Sequence, residues 1–439
     1  MVKVTQLHRD LMSLTLYRST LEDPIAAAFV HLLRSIRQSA TQPSWDGEVL
    51  VLEAYSAWFQ AIAPLSLSWG GYVRWLVLKA DNPLTRMLQK YPIEQINPAV
   101  IEAAQRDLTI LQGLADLTGE TIGAMVNSIV ANIELPVWIS FDNPAIVPNQ
   151  SDPPVELLSE ISDWSTQLQA LGEYYRQHGT GLFATFKAFT WRSGELIGIP
   201  NPDPIQTLDL IGYEWQRDAL LQNTEALLAG YPALHVLLYG SRGSGKSSLI
   251  KSLLQTYGDR GLRLVEVTKA ELLSLPQIVE QLRDVPQKFI IFVDDLSFEE
   301  DDDAYKALKV VLEGNVTARA LNTVVYATSN RRHLIREFYG DRPRPKDADE
   351  IHQWDTVQEK LSFSDRFGLT LTFEPADQTT YLAMVQHLTQ RAGIELPQAE
   401  LEFRALQWAT RHNGRSGRSA RQFVDFLIAD LARSPLHTT

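Results

Sequence analysis
Cysteine is missing from all 439 residues, which removes disulfides, thiolate metal sites and thiol nucleophiles. Long apolar runs are missing too. The longest uncharged stretch, Ala54 to Val73, is broken by Pro64 and Gly70-Gly71, so it reads as buried helix and no membrane span is expected. Positive charge is scarce: 40 basic side chains face 53 acidic ones, and the net charge of −13 withholds the broad positive field of nonspecific nucleic-acid binders. The opening MVKVTQLHRD does not show the charged-then-apolar order of a signal peptide, so a cytoplasmic location is the expectation.

A chain of this length with 45% apolar residues predicts two or three globular domains. Residues 1–200 predict a mainly α-helical domain. Apolar periodicity suits helices over Leu7 to Arg37, Val49 to Ala63, Tyr72 to Gln89, Ala99 to Leu117, Thr121 to Asn132 and Glu156 to Gln177. A proline-rich stretch from Asp142 to Val155 reads as a linker or long loop, and Gly194 to Pro204 as a second connector. Residues 201–376 then alternate helix with strand. Strands are expected at 235–239, 262–267, 289–293, 323–327 and 369–373, in a parallel sheet covered on both faces. Residues 377–439 predict a purely helical end.

The segment LHVLLYGSRGSGKSSLIKSLL, residues 234–254, carries the most chemistry. An apolar strand runs into Gly240, Ser241, Arg242, Gly243, Ser244, Gly245, Lys246, Ser247 and Ser248, and an amphipathic helix follows. Glycines let successive N–H groups point into one concavity, and the helix N-terminus adds its positive dipole end. Lys246 can reach the β- and γ-phosphates and the Ser247 hydroxyl can sit on Mg²⁺. ATP and Mg²⁺ are therefore the expected ligands.

A second strand ends in Asp294 and Asp295. Asp294 would hold the metal through water, and Asp295 would orient or deprotonate an attacking water. Glu299, in the acidic run that follows, is an alternative base or part of a hydrated loop. Asn330, after Ala327-Thr-Ser, stands where an amide can sense the γ-phosphate; a turn cap for the next residues is the other reading.

These motifs, with IGYEWQRDALLQNTEALLAG, FVDDLSFE and YATSNRRHL, resemble an AAA+ ATPase module, and closely resemble an uncharacterised bacterial family of predicted AAA+ ATPases. The likeness covers residue 208 to the end. VDDLSF and LSFSDRFGLTLTFEP are also similar to segments of bacterial replication initiators and helicase loaders. The resemblance implies a P-loop α/β core with a C-terminal helical lid. It implies an adenine pocket at Ile211, Gly212 and Tyr213, an arginine finger at Arg366 reaching a neighbouring subunit, and a second sensor at Arg421, with Arg418 as fallback by register. A homo-oligomer follows from the finger.

One departure stands out: such enzymes usually place glutamate after the metal-binding aspartate, whereas Asp295 is shorter by a methylene. Slow, switch-like hydrolysis is expected, and Lys269 to Leu275 offers no aromatic pore loop. The leading reading is an ATPase whose nucleotide state controls assembly and acts on an unknown protein partner through residues 1–200. A nucleic-acid-linked loader is the alternative. It draws on the basic cluster Arg331, Arg332, Arg336, Arg342, Arg344 and Lys346 but is disfavoured by the acidic balance. A non-hydrolysing ATP-binding scaffold is the third.

Overall fold
The computed structural model describes residues 2–65, 67–130, 133–139, 155–158, 163–205, 211–298, 304–313, 320–331, 334, 362–412 and 414–433. The chain divides into two compact units, Met1–Phe186 and Lys187–Thr439. The expected loop over 142–154 lies outside the described residues, as do Glu299, Arg332, Arg336, Arg342, Arg344 and Lys346.

The first unit is helical: α1 (Val2–Met12), α2 (Pro24–Thr41), α3 (Trp45–Ile62), α4 (Trp69–Lys79), α5 (Pro83–Lys90), α6 (Pro98–Ala115), α7 (Gly119–Asn127), α8 (Leu168–His178) and α9 (Leu182–Thr185). Two helices expected to be continuous are each split, and the breaks have one chemical cause. Asp23 precedes Pro24 and accepts from the Ile25 N–H, while Asn82 precedes Pro83 and forms a capping box with Thr85. Proline fixes φ and needs no N–H partner at a helix start, and the preceding polar side chain satisfies an orphan donor. The expected helix Glu156 to Gln177 is also interrupted, because the Asp163 carboxylate accepts from the Ser165 N–H and starts a new turn before α8. The uncharged stretch becomes α3 and α4, whose Trp58 and Trp69 meet edge to face at 5.6 Å in the core. Among the described residues no helix is long and apolar enough to cross a membrane.

The second unit is built on seven strands: β1 (Ala188–Arg192), β2 (Glu195–Ile199), β3 (Val236–Gly240), β4 (Leu262–Glu266), β5 (Lys288–Val293), β6 (Thr323–Ser329) and β7 (Leu369–Phe373). Their order across the sheet is β2-β1-β4-β5-β6-β3-β7. All neighbours are parallel except the β1–β2 hairpin. In β5 the residues Phe289 to Val293 are all buried, as is the whole of β6. Continuous apolar runs suit strands covered on both faces, at roughly 1.5–3 kcal/mol for each large side chain buried. Covering helices are α10 (Glu214–Leu228), α11 (Lys246–Tyr257), α12 (Leu275–Arg283) and α13 (Ala304–Glu313). Three more, α14 (Gln378–Arg391), α15 (Gln398–Arg411) and α16 (Gly417–Arg433), form the helical lid. This is the parallel α/β sheet with a helical C-terminal part expected from the sequence, extended by an antiparallel hairpin at one edge.

The connector expected over 194–204 is corrected: residues 195–199 are strand β2, with Leu196 buried. The hairpin belongs with the sheet, so the unit boundary falls at 186/187 rather than near 200. The reason is that β1 pairs in parallel with β4, Ala188 opposite Leu264, and carries β2 with it.

Candidate functional site
Three neighbouring strands deliver polar residues from their C-terminal ends to one place. β3 ends at Gly240, β5 hands over to Asp294 and Asp295, and β6 runs on to Asn330. Open parallel sheets bind ligands at that edge. A cavity of about 620 Å³ opens there, bounded by the loop from Arg242 to Ser248, the two aspartates, Thr328 and Asn330, and the lid.

The loop is shaped by close approaches that only glycine allows. Gly240 has φ +140°, and a Cβ on it would stand 2.0 Å from the Phe373 carbonyl oxygen in β7. The Ser241 N–H donates to that same oxygen at 2.9 Å. Gly245, at φ +93°, turns the chain into α11. Lys246 is buried, and its Nζ donates to the carbonyls of Ser241 at 2.6 Å and Gly240 at 3.1 Å, tying the loop's two ends together. Burial pushes its ammonium below the usual lysine range. Asp294 and Asp295 work against that shift, and Arg418 adds to it.

Beside the loop runs a chain of short hydrogen bonds. The Ser247 and Thr328 hydroxyls both donate to Asp294 Oδ1 at 2.6 Å. The Asp295 N–H donates to Thr328 Oγ1 at 2.9 Å, and Asn330 Nδ2 donates to Asp295 Oδ1 at 2.6 Å. Asp295 is one of two described non-glycine residues at positive φ, +48°. Such a conformation is held only where its surroundings over-determine it, and here Thr328 and Asn330 grip it at both ends. The donor chemistry suits a magnesium ion: the Asp294 carboxylate and the Ser247 hydroxyl are hard oxygen ligands.

A family model described as "Protein of unknown function (DUF815)" matches residues 184–431, more than half of the chain. The chain belongs to that family. The DUF815 match begins just before β1, so the family's own span includes the β1–β2 hairpin. No curated protein matches the sequence. Among solved structures, a RuvB mutant of Thermotoga maritima is 15% identical with a TM-score of 0.37, covering 52% of this chain and 66% of its own. DnaA from Aquifex aeolicus bound to AMPPCP is 16% identical with a TM-score of 0.36, covering 54% and 67%. The chain thus spans just under two thirds of the RuvB chain it is compared with.

In this DUF815 chain the residues singled out from sequence fall into three groups. Arg242 to Ser248, Asp294, Asp295, Asn330, Ile211 and Arg421 line the cavity together, and so does Arg418. Gly240, Ser241, Gly212 and Tyr213 do not line it. The first two anchor the loop on β7. Gly212 packs on Thr380 of α14, and buried Tyr213 donates to the Glu374 carbonyl at 2.7 Å with its ring 4.9 Å from Phe373. Arg366 is also outside the cavity lining: its Nε pairs with Glu313 at the end of α13. Sequence reasoning missed Thr328, Ile205, Gly417 and the α14 pair Met384 and Leu388. Strand alternation could have found Thr328, which shares a face with Asn330 two residues on. Spacing of four on one helix face could have suggested Met384 with Leu388. No local signal marks Ile205.

Proposed function
We propose that the protein is an ATPase that binds ATP with magnesium in this cavity, hydrolyses it slowly, and uses the nucleotide state to control assembly and a protein partner of the helical unit. The observation that carries this is the bonded set Ser247, Asp294, Thr328, Asp295 and Asn330 beside a glycine-shaped loop with a buried lysine. Loop N–H groups, Lys246 and Arg421 bind phosphate oxygens, while Ile205, Ile211, Met384 and Leu388 offer an apolar wall to the base. Bound magnesium, held by Ser247 and reached through water by Asp294, would neutralise phosphate charge.

In the proposed reaction Asp295 takes a proton from a water that attacks the γ-phosphorus, and the bond to the β–γ bridging oxygen breaks. Asn330 orients that carboxylate. Arg366 acts on the site of a neighbouring copy, where a finger is worth a factor of about 10³ to 10⁵. Its pairing with Glu313 means that the arginine must exchange partners to do so.

The test is phosphate release from purified protein over a range of protein concentrations. Activity per subunit should rise with concentration. Arg366→Ala should leave ATP affinity within about twofold while lowering turnover by roughly 10³, and unchanged turnover would remove the finger. Asp295→Asn should retain ATP and lose turnover. An absence of phosphate release from wild-type protein at every concentration would leave the scaffold reading in its place.

A further inference from the structure
Thr328 places a hydroxyl inside a strand whose residues are all buried, and its own exposure is 2%. A buried hydroxyl is unfavourable unless it is bonded, and it has one hydrogen to give and lone pairs to receive. Here the hydrogen goes to Asp294 Oδ1 at 2.6 Å, because a carboxylate accepts and a backbone N–H only donates. The Asp295 N–H, at 2.9 Å, therefore meets a lone pair of the same hydroxyl oxygen. The direction of the chain is fixed: Asp295 N–H to Thr328 hydroxyl to Asp294 carboxylate.

Two further contacts decide what this chain controls. Asp294 Oδ1 also receives the Ser247 hydroxyl at 2.6 Å, so that carboxylate is anchored from the side of the loop. Asp295 stands at φ +48°, a left-handed conformation that an aspartate keeps under restraint, and its own carboxylate receives Asn330 Nδ2 at 2.6 Å. Apart from Thr328, its N–H has Asp294 Oδ1 at 3.1 Å, an oxygen that two hydroxyls already occupy. Without the Thr328 hydroxyl the backbone of Asp295 loses its nearer acceptor. Rotation about φ then carries the side chain with it, and Asn330 restrains one end alone.

We propose that Thr328 is a positioning residue for hydrolysis: by linking the Asp294 carboxylate to the Asp295 backbone, it holds the Asp295 carboxylate where it takes the proton from the attacking water. This rests on the ATP reading above and deepens it by naming the residue that fixes the base. Asn330 orients Asp295 from its carboxylate, and Thr328 orients it from its backbone. Valine keeps the branched shape of the side chain and breaks the link, so it is the informative replacement. Misplacing a reacting group by about 1 Å lowers a rate by about 10²-fold.

The experiment measures single-turnover phosphate release and ATP dissociation constants for the full chain, its Thr328→Val, Thr328→Ser and Asp295→Asn variants, and Thr328→Val combined with Asp295→Asn. Thr328→Val should lower the rate by roughly 10² while leaving ATP affinity within about twofold. Thr328→Ser, which keeps the hydroxyl, should come within about threefold of wild type. Added to Asp295→Asn, Thr328→Val should lower the residual rate no further, because residues that act as one unit are not additive. Hydrogen exchange of the peptide that carries Asp295, measured without nucleotide, should be faster in Thr328→Val than in Thr328→Ser. An unchanged rate in Thr328→Val, equal losses in the valine and serine variants, identical exchange in the two, or a full further loss on the Asp295→Asn background would each make Thr328 a packing residue and overturn the proposal. If the valine variant does not fold, Thr328→Ala is judged by the same criteria. Failure of the underlying reading is told apart in wild-type protein, which would bind no ATP or release no phosphate, and it would remove this proposal as well.

Discussion

Replacing Lys246 with alanine is expected to weaken ATP binding by about 100-fold or more, measured by equilibrium titration with a fluorescent analogue. The estimate follows from the lysine's position. The residue is buried, its ammonium donates to the loop's own carbonyls, and it lines the cavity. A hydrogen bond to an ionised group contributes about 1.5–3 kcal/mol, and a lysine that meets two phosphates loses two of them. Each 1.4 kcal/mol is about tenfold in affinity. The variant also leaves the Gly240 and Ser241 carbonyls without their bridging donor, so the loop loses its cross-tie as well as its charge. Retention of wild-type affinity would remove the cavity as the nucleotide site.

The second large effect concerns stability. Gly240→Ala is expected to destabilise the second unit by about 3 kcal/mol or more, lowering its melting temperature by roughly 6–12 °C in calorimetry. Two penalties coincide there: a positive φ that L-residues avoid, and a Cβ placed 2.0 Å from a backbone oxygen that cannot move without dragging β7. Gly230 supplies the control. It also has positive φ, +80°, but a Cβ there meets nothing within 4 Å. Gly230→Ala should therefore cost only about 1–2 kcal/mol, the price of the backbone conformation alone. Equal effects at the two positions would show that the contact with Phe373 does not matter.

Much of this site was legible because its chemistry demands particular residues at fixed spacing. A strand that turns back tightly into a helix needs glycine at the turn, so the shape of the loop from Gly240 to Ser248 was legible directly. Parallel strands buried on both faces are written as unbroken apolar runs, and the five expected strands lie within one or two residues of β3 to β7. The antiparallel hairpin escaped because its glycines and the following proline resemble a connector, and its partners in β4 lie 76 residues away in sequence, Ala188 opposite Leu264. The split helices were visible in principle, at Asp23-Pro24 and Asn82-Pro83, but apolar periodicity carries straight through those steps. Neighbourhoods made only by folding were out of reach: Ile205 lining one cavity with Met384 and Leu388, and Arg366 meeting Glu313, 53 positions earlier.

The β1–β2 hairpin also decides where this chain can be cut. With it in place, β4 is an interior strand bonded on both sides. A fragment begun at residue 201 would strip that cover and present the β4 backbone ladder to any passing strand, the geometry that seeds edge-to-edge clumping. A fragment begun at Lys187 keeps its own guard rail: five short residues opening on exposed Glu195 and followed by Pro200, a poor template for a further strand.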